Sequence, residues 1–130
     1  MIQRIQTLYL FTISLSSILG WFLLPKIDLY IMNFSLFKIS KVYLISSGGI
    51  AFLTLLLYKN RKLQLLLNRI HFFVQIITLV GLVYGLMIST IIIDLLTWST
   101  LPILVLILLI LCTRAIQKDE DLIRSIDRLR

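Results

Sequence analysis

Leu101-Pro-Ile-Leu-Val-Leu-Ile-Leu-Leu-Ile-Leu-Cys112 carries no charge, and the chain then turns within two residues into Thr113-Arg-Ala-Ile-Gln-Lys-Asp-Glu-Asp-Leu-Ile-Arg-Ser-Ile-Asp-Arg-Leu-Arg130. The first half has the apolar density of a helix immersed in lipid. The second half is a charged amphipathic helix. Together they put a membrane span directly before a polar helical tail. The rest of the chain repeats the first half of that pattern.

Hydrophobic residues make up 59% of the 130, and mean hydropathy is +1.01. A soluble domain is nearer half apolar, and the excess here lies in long runs, which is the membrane signature. Four spans are expected, at about 7–24, 42–58, 71–93 and 95–113, followed by a tail over 114–130. The fold class is therefore all-α: one membrane domain over 1–130, a four-helix transmembrane bundle whose last helix extends into a cytoplasmic amphipathic tail. Met1–Leu24 has only Arg4 as a basic lead and no small-x-small cleavage site, so it reads as a retained first span. Pro25 stops it. Lys26–Lys41 reads either as a short hairpin on the membrane face, Ile27 to Ile31 against Leu36 to Ile39, or as an interfacial coil held by Tyr30, Phe34 and Phe37. Lys59-Asn-Arg-Lys62 is a hydrophilic turn, Leu63–Ile70 starts the third helix outside the membrane, and Asp94 marks a short turn. Pro102 falls in the first turns of the fourth span, where its missing N–H is tolerated.

The net charge of +7 invites a nucleic-acid reading, but the basic residues sit at the ends of apolar runs, where topology and anionic lipid explain them. Nucleic acid is not an expected partner. Ten basic residues lie at the end shared by the termini and the second loop, against Lys26, Lys38 and Lys41 at the other. The positive-inside rule then places both termini in the cytoplasm.

Catalysis or ion coupling inside a membrane needs ionisable groups there, and these are costly enough to be informative. No charge lies within 7–24, 42–58 or 72–93. Asp94 at a span end reads as a helix cap, and Gln75 as an interhelical hydrogen bonder. His71, the single histidine, stands beside Arg69 without a companion at metal-ligand spacing, and Cys112, the single cysteine, reads as a small core thiol. No catalytic, cofactor-binding or metal-ligating residue is assigned, no cofactor is expected, and the chain reads as a non-enzyme. Small four-span multidrug carriers share its size but rely on a carboxylate in the first span, which this one lacks.

Helices in lipid associate where small residues let backbones approach. Ser16 and Gly20, Ser47 and Ala51, and the Gly81-Leu-Val-Tyr-Gly85 motif extended by Ser89 supply such pairs in spans one to three. Span four has none between Ile103 and Leu111, so spans one to three are expected to pack closely and span four to present much large aliphatic surface to lipid or to another subunit. In the tail, Ala115, Leu122, Ile126 and Leu129 share a stripe flanked by Ile116 and Ile123, with Asp119 interrupting it. Three settings fit: projection into water, contact with anionic lipid, or docking on a partner or on the chain's own second loop. The acidic Asp119-Glu-Asp121 can pair with Lys59-Asn-Arg-Lys62 across the same face.

Met1-Ile-Gln-Arg-Ile-Gln-Thr-Leu-Tyr-Leu10 and Arg114 to Arg130 together resemble the two ends of a small bacterial inner-membrane family, domain of unknown function 4293. The resemblance implies four spans, both ends cytoplasmic, and no assigned activity. It marks Arg4, Arg114, Lys118, Asp119, Glu120, Arg124, Asp127 and Arg128 as contacts of the cytoplasmic face, with Arg4 placed to pair with Asp119 or Glu120. Beyond the lipid bilayer, the expected partner is another protein or a second copy of the chain. The leading expectation is an accessory or structural subunit; an oligomeric transporter of small solutes or lipid is the alternative.

Overall fold

A computed structural model describes residues 2–26, 30–31, 34–57, 60–88 and 92–128. Helix α1 spans Ile2–Leu23, α2 Leu36–Leu56, α3 Arg61–Ile88 and α4 Ile92–Arg128. All four are long and apolar enough to cross a membrane. At a rise of 1.5 Å per residue, α1 and α2 are each slightly over about 30 Å long, which matches the hydrocarbon core, and α4 at about 55 Å overshoots it. The fold is the all-α bundle read from the sequence, with α4 continuing unbroken from span into tail.

The helices run up and down around a ring. α1 packs on α2 and α4, and α3 packs on α2 and α4. At one end Leu10, Cys112 and Ile116 cluster with Leu55 and Leu65, which brings the start of α1, the end of α2, the start of α3 and the tail side of α4 together. At the other end the Trp98 indole N–H donates to the Pro25 carbonyl over 2.8 Å, tying α4 to the exit of α1.

The first loop holds a minimal antiparallel pairing, Tyr30 opposite Ser35 and Ile31 opposite Phe34. This is the hairpin reading, shorter than expected. Leu36–Ile39 belongs to α2, not to a strand, because Ser35 caps the helix: its side chain accepts from the Lys38 N–H at 3.3 Å. The Lys41 ammonium lies over the rings of Phe37 and Trp21, 4.1 and 5.2 Å from their centroids, which holds α1 and α2 together at this end. At the opposite end the turn into α3 is tight: Leu57 N–H bonds the Leu53 carbonyl, Asn60 N–H that of Leu57, and Gln64 N–H that of Asn60.

Three expectations about the helices change. Helix α3 runs continuously past His71 as expected but ends at Ile88, short of the expected Ile93, and Asp94 lies in the first turn of α4, where its charge complements the helix dipole. Pro102 is inside α4, three turns from its start, and removes the hydrogen bond to the Trp98 carbonyl. Span four does expose Ile103, Leu104 and Ile107, but it is the most buried of the four spans, at 39% against 28%, 28% and 22% for α1, α2 and α3. Leu95, Trp98, Leu101, Val105 and Leu109 make up most of the apolar core. Large residues at steps of three and four form a packing seam without small residues when the small partner is on the facing helix. Gly20 of α1 is such a partner, since a Cβ there would stand 2.5 Å from Leu101 Cδ1 and 3.2 Å from Leu44 Cδ2.

Candidate functional site: a polar seam inside the bundle

The inward face of α3 is Gln64, Asn68, His71, Gln75 and, at the far end, Gly85. The first four positions step by four, three and four residues, so they form one line along the helix, as in a coiled-coil seam. The opposite face, with Leu63, Leu66, Ile70, Phe73, Ile77 and Val80, is exposed. In water such a helix would be inside out. In lipid it is the favourable arrangement, because amide and imidazole groups must find partners within the protein.

The centre of the seam lies near the midpoint of α3. Gln75 uses both ends of its amide on α2: Oε1 accepts from the Tyr43 hydroxyl at 2.6 Å, and Nε2 donates to Ser47 Oγ at 3.2 Å. Ser47 Oγ also stands 2.9 Å from His71 Nε2. A neutral imidazole donates or accepts at Nε2 according to its tautomer, and the Ser47 hydroxyl can meet either form. Nδ1 is buried and has no hydrogen-bond partner among the described residues. Ser17 on α1 closes the group: its hydroxyl donates to the Ile13 carbonyl and lies 3.5 Å from Ser47 Oγ. Gly48 allows this approach, since a Cβ there would meet Ser17 Cβ at 3.3 Å. Gln75, His71 and Ser47 are fully buried.

Toward the terminal end the seam continues with different partners. Asn68 Nδ2 donates to Cys112 Sγ across α3 and α4 at 3.6 Å, while its Oδ1 has no partner among the described residues. Gln64 Nε2 donates to the Thr54 carbonyl at 3.1 Å, which satisfies one of the carbonyls orphaned at the end of α2. One turn beyond the α4 core, Arg61 and Asp119 form an ion pair at 2.8 Å, with side-chain exposures of 25% and 16%. The tail therefore docks on the chain's own second loop and α3, the last of the three settings read from the sequence.

The phase of the tail differs from the expected one. The buried line of α4 runs Leu109, Cys112, Ile116 and on to Asp119, while Leu122 and Ile123 are exposed. The span fixes this phase, because one continuous helix cannot rotate its tail independently of its membrane half. Asp119 is thus an inward residue, and its place in the apolar stripe is explained by Arg61. Arg114 and Lys118 are exposed and Glu120 is half-buried. The side chains of Arg4, Arg124, Asp127 and Arg128 lie outside the described residues, as do Lys59 and Ser89.

The small residues divide. Gly20, Ser47, Ala51 and Gly85 are buried at helix contacts. Ser17, not Ser16, is the serine of α1 that faces α2; Ser16 is half-buried and returns its hydroxyl to the Ile13 carbonyl. Gly81 has open space where its Cβ would be, so the two glycines of the G-x-x-x-G motif do not share a packing face. Gln64 and Asn68 precede the expected span start at His71 and so read as solvated, and His71 itself reads as a boundary residue; all three are interior. The signal was present in their spacing with Gln75. Among the described residues no three histidine, cysteine or acidic side chains gather at metal-binding distance.

Residues 31–129 match the family described as Domain of unknown function (DUF4293). The chain belongs to that family. The match takes in nearly the whole tail on which the resemblance rested, while Met1–Leu10 lies before it. No curated protein and no solved structure matches the chain. The family and the four apolar helices make this a multi-pass membrane protein.

Proposed function

We propose that the protein is a non-enzymatic accessory or structural subunit of a bacterial inner membrane, working through a cytoplasmic face made by its two termini and second loop. The observation that carries this reading is the use α4 makes of its tail. The inward line is occupied by its own bundle through Ile116 and the Asp119–Arg61 pair, and Leu122 and Ile123 remain 46% and 43% exposed on the helix beyond the core. An apolar pair on a charged, pre-ordered helix suits docking into a partner's groove. The ten-to-three asymmetry of basic residues supports a cytoplasmic position for that face.

The polar seam fits the same reading. Its amide, hydroxyl and imidazole groups bond mainly to each other, which supports a role in fixing helix register. The seam also favours the second reading, an oligomeric carrier of small solutes or lipid, because polar groups at the middle of a span are where such proteins hold substrates. Purification from native membranes in mild detergent separates the two. A stoichiometric larger partner, lost in a Leu122→Asp/Ile123→Asp variant, is the expected result. Isolation as a lone homo-oligomer, unchanged by those substitutions, would overturn the subunit reading and favour transport.

A further inference from the structure

A lateral groove of about 320 Å³ runs between α3 and α4, lined by Asn68, Arg69, Phe72, Phe73, Leu109, Ile110, Thr113 and Arg114. We propose that it is a binding site for one anionic phospholipid, with the phosphate held between Arg69 and Arg114 and an acyl chain lying along Phe72, Phe73, Leu109 and Ile110.

Depth supports the assignment. Arg114 lies twenty residues along α4 from Asp94, about 30 Å at helical rise, which is one hydrocarbon thickness. Both guanidiniums therefore stand at the membrane boundary with the apolar wall running inward from them. Phe73 and Ile110 are 63% and 41% exposed, so the groove opens sideways to the bilayer, where an acyl chain can enter.

Charge points the same way. Arg69 and Arg114 are exposed, and among the described residues no carboxylate lines the groove and neither arginine forms an ion pair. Two guanidiniums converging at a leaflet surface suit a phosphodiester, to which arginine can bond with two parallel N–H groups. The Thr113 hydroxyl supplies a further donor. Asn68, 2% exposed, forms the inner wall of the groove beside Arg69. A free phosphate would leave the apolar wall uncovered, so the occupant needs a hydrocarbon chain.

The test is native mass spectrometry of the detergent-purified full chain titrated with phosphatidylglycerol or phosphatidylcholine. The wild type should bind the anionic lipid about tenfold or more tightly, with one lipid retained per chain. Arg69→Gln/Arg114→Gln should abolish that preference. Lys62→Gln/Lys118→Gln, which removes the same charge from exposed positions at the same end, should keep it. Glycerol 3-phosphate should not displace the lipid. Equal affinity for the two lipids in the wild type would overturn the proposal. So would an equal loss in the Lys62/Lys118 variant, which would mean diffuse charge, or displacement by glycerol phosphate, which would mean an anion site without a chain. A circular-dichroism melt on each variant identifies any that fails to fold, and Arg69→Lys/Arg114→Lys then replaces it, with at least partial retention expected.

Discussion

Helices α3 and α4 lie side by side and turn opposite chemistries toward the same interior. The seam of α4 is Leu95, Trp98, Leu101, Val105, Leu109, Cys112 and Ile116; that of α3 is Gln64, Asn68, His71 and Gln75. Both advance by steps of three and four, so the geometry is similar and the side chains differ. In lipid, apolar surface gains little by turning inward, and α4 holds its place through close packing. Helix α3 holds its place because its polar groups have nowhere else to go. The bundle thus combines one helix that fills volume with one that fixes rotation and register.

This difference predicts which substitutions hurt most. Leu109 is 1% exposed at the centre of the α4 seam, and Leu109→Ala should destabilise the bundle by about 2–5 kcal/mol through a cavity that packing cannot close. Ile107, 55% exposed on the other side of the helix, should tolerate alanine with a loss below about 0.5 kcal/mol. Unfolding in mixed dodecyl sulfate micelles measures both. Equal losses would show that α4 does not pack as a seam.

Gln75→Leu should cost about 1–3 kcal/mol in the same measurement, because it strips partners from both the Tyr43 hydroxyl and Ser47 Oγ. Adding Tyr43→Phe should cost less in that background than in the wild type, since the orphaned hydroxyl is then removed. Strict additivity would mean that the 2.6 Å contact contributes no coupling.

Glycines test the same comparison at smaller scale. Gly20→Ala sets a methyl 2.5 Å from Leu101 Cδ1, at the point where α1 meets the α4 seam, and should cost about 1–2 kcal/mol, partly relieved by Leu101→Ala. Gly81→Ala meets open space and should be neutral, or stabilising by up to about 1 kcal/mol through helix propensity. The reverse ranking would restore Gly81 as the packing glycine.

These contrasts also show what could be read from the chain alone. Long charge-free runs gave four helices because backbone in lipid must bond internally, and that requirement leaves a plain trace in composition. The inward faces left a weaker trace. Around α4 nearly every residue is apolar, so periodicity of hydrophobicity cannot say which side is buried, and the absence of small residues suggested a largely outward-facing helix where the structure has the most buried one. For α3 the trace was there in polar residues at seam spacing, but starting the span at His71 placed Gln64 and Asn68 in water. Within the tail, Asp119 looked like a defect in an apolar stripe until the span set the phase and Arg61 supplied its partner. The possible pairing of the acidic triplet with the second loop was legible, because opposite charges at one end of a bundle have few places to go.

The Arg61–Asp119 pair is the weakest contact in this comparison and the one that links the two helices beyond the core. Its side chains are 25% and 16% exposed, so solvent screens part of the attraction, and a contribution of about 0.5–1 kcal/mol is expected. Global stability will register that poorly. Local order of the tail should register it well, because few other described contacts hold α4 once it passes Ile116. Asp119→Arg should increase tryptic cleavage at the Arg114 and Lys118 sites shared with the wild type, and Arg61→Asp should do the same. The double reversal, Arg61→Asp/Asp119→Arg, should return those sites toward wild-type protection at low salt and less so at high salt. If the double variant is cleaved as fast as either single one, the tail is held by something other than this pair. The alternative holder named by the sequence, Arg4, would then be the residue to reverse against Glu120.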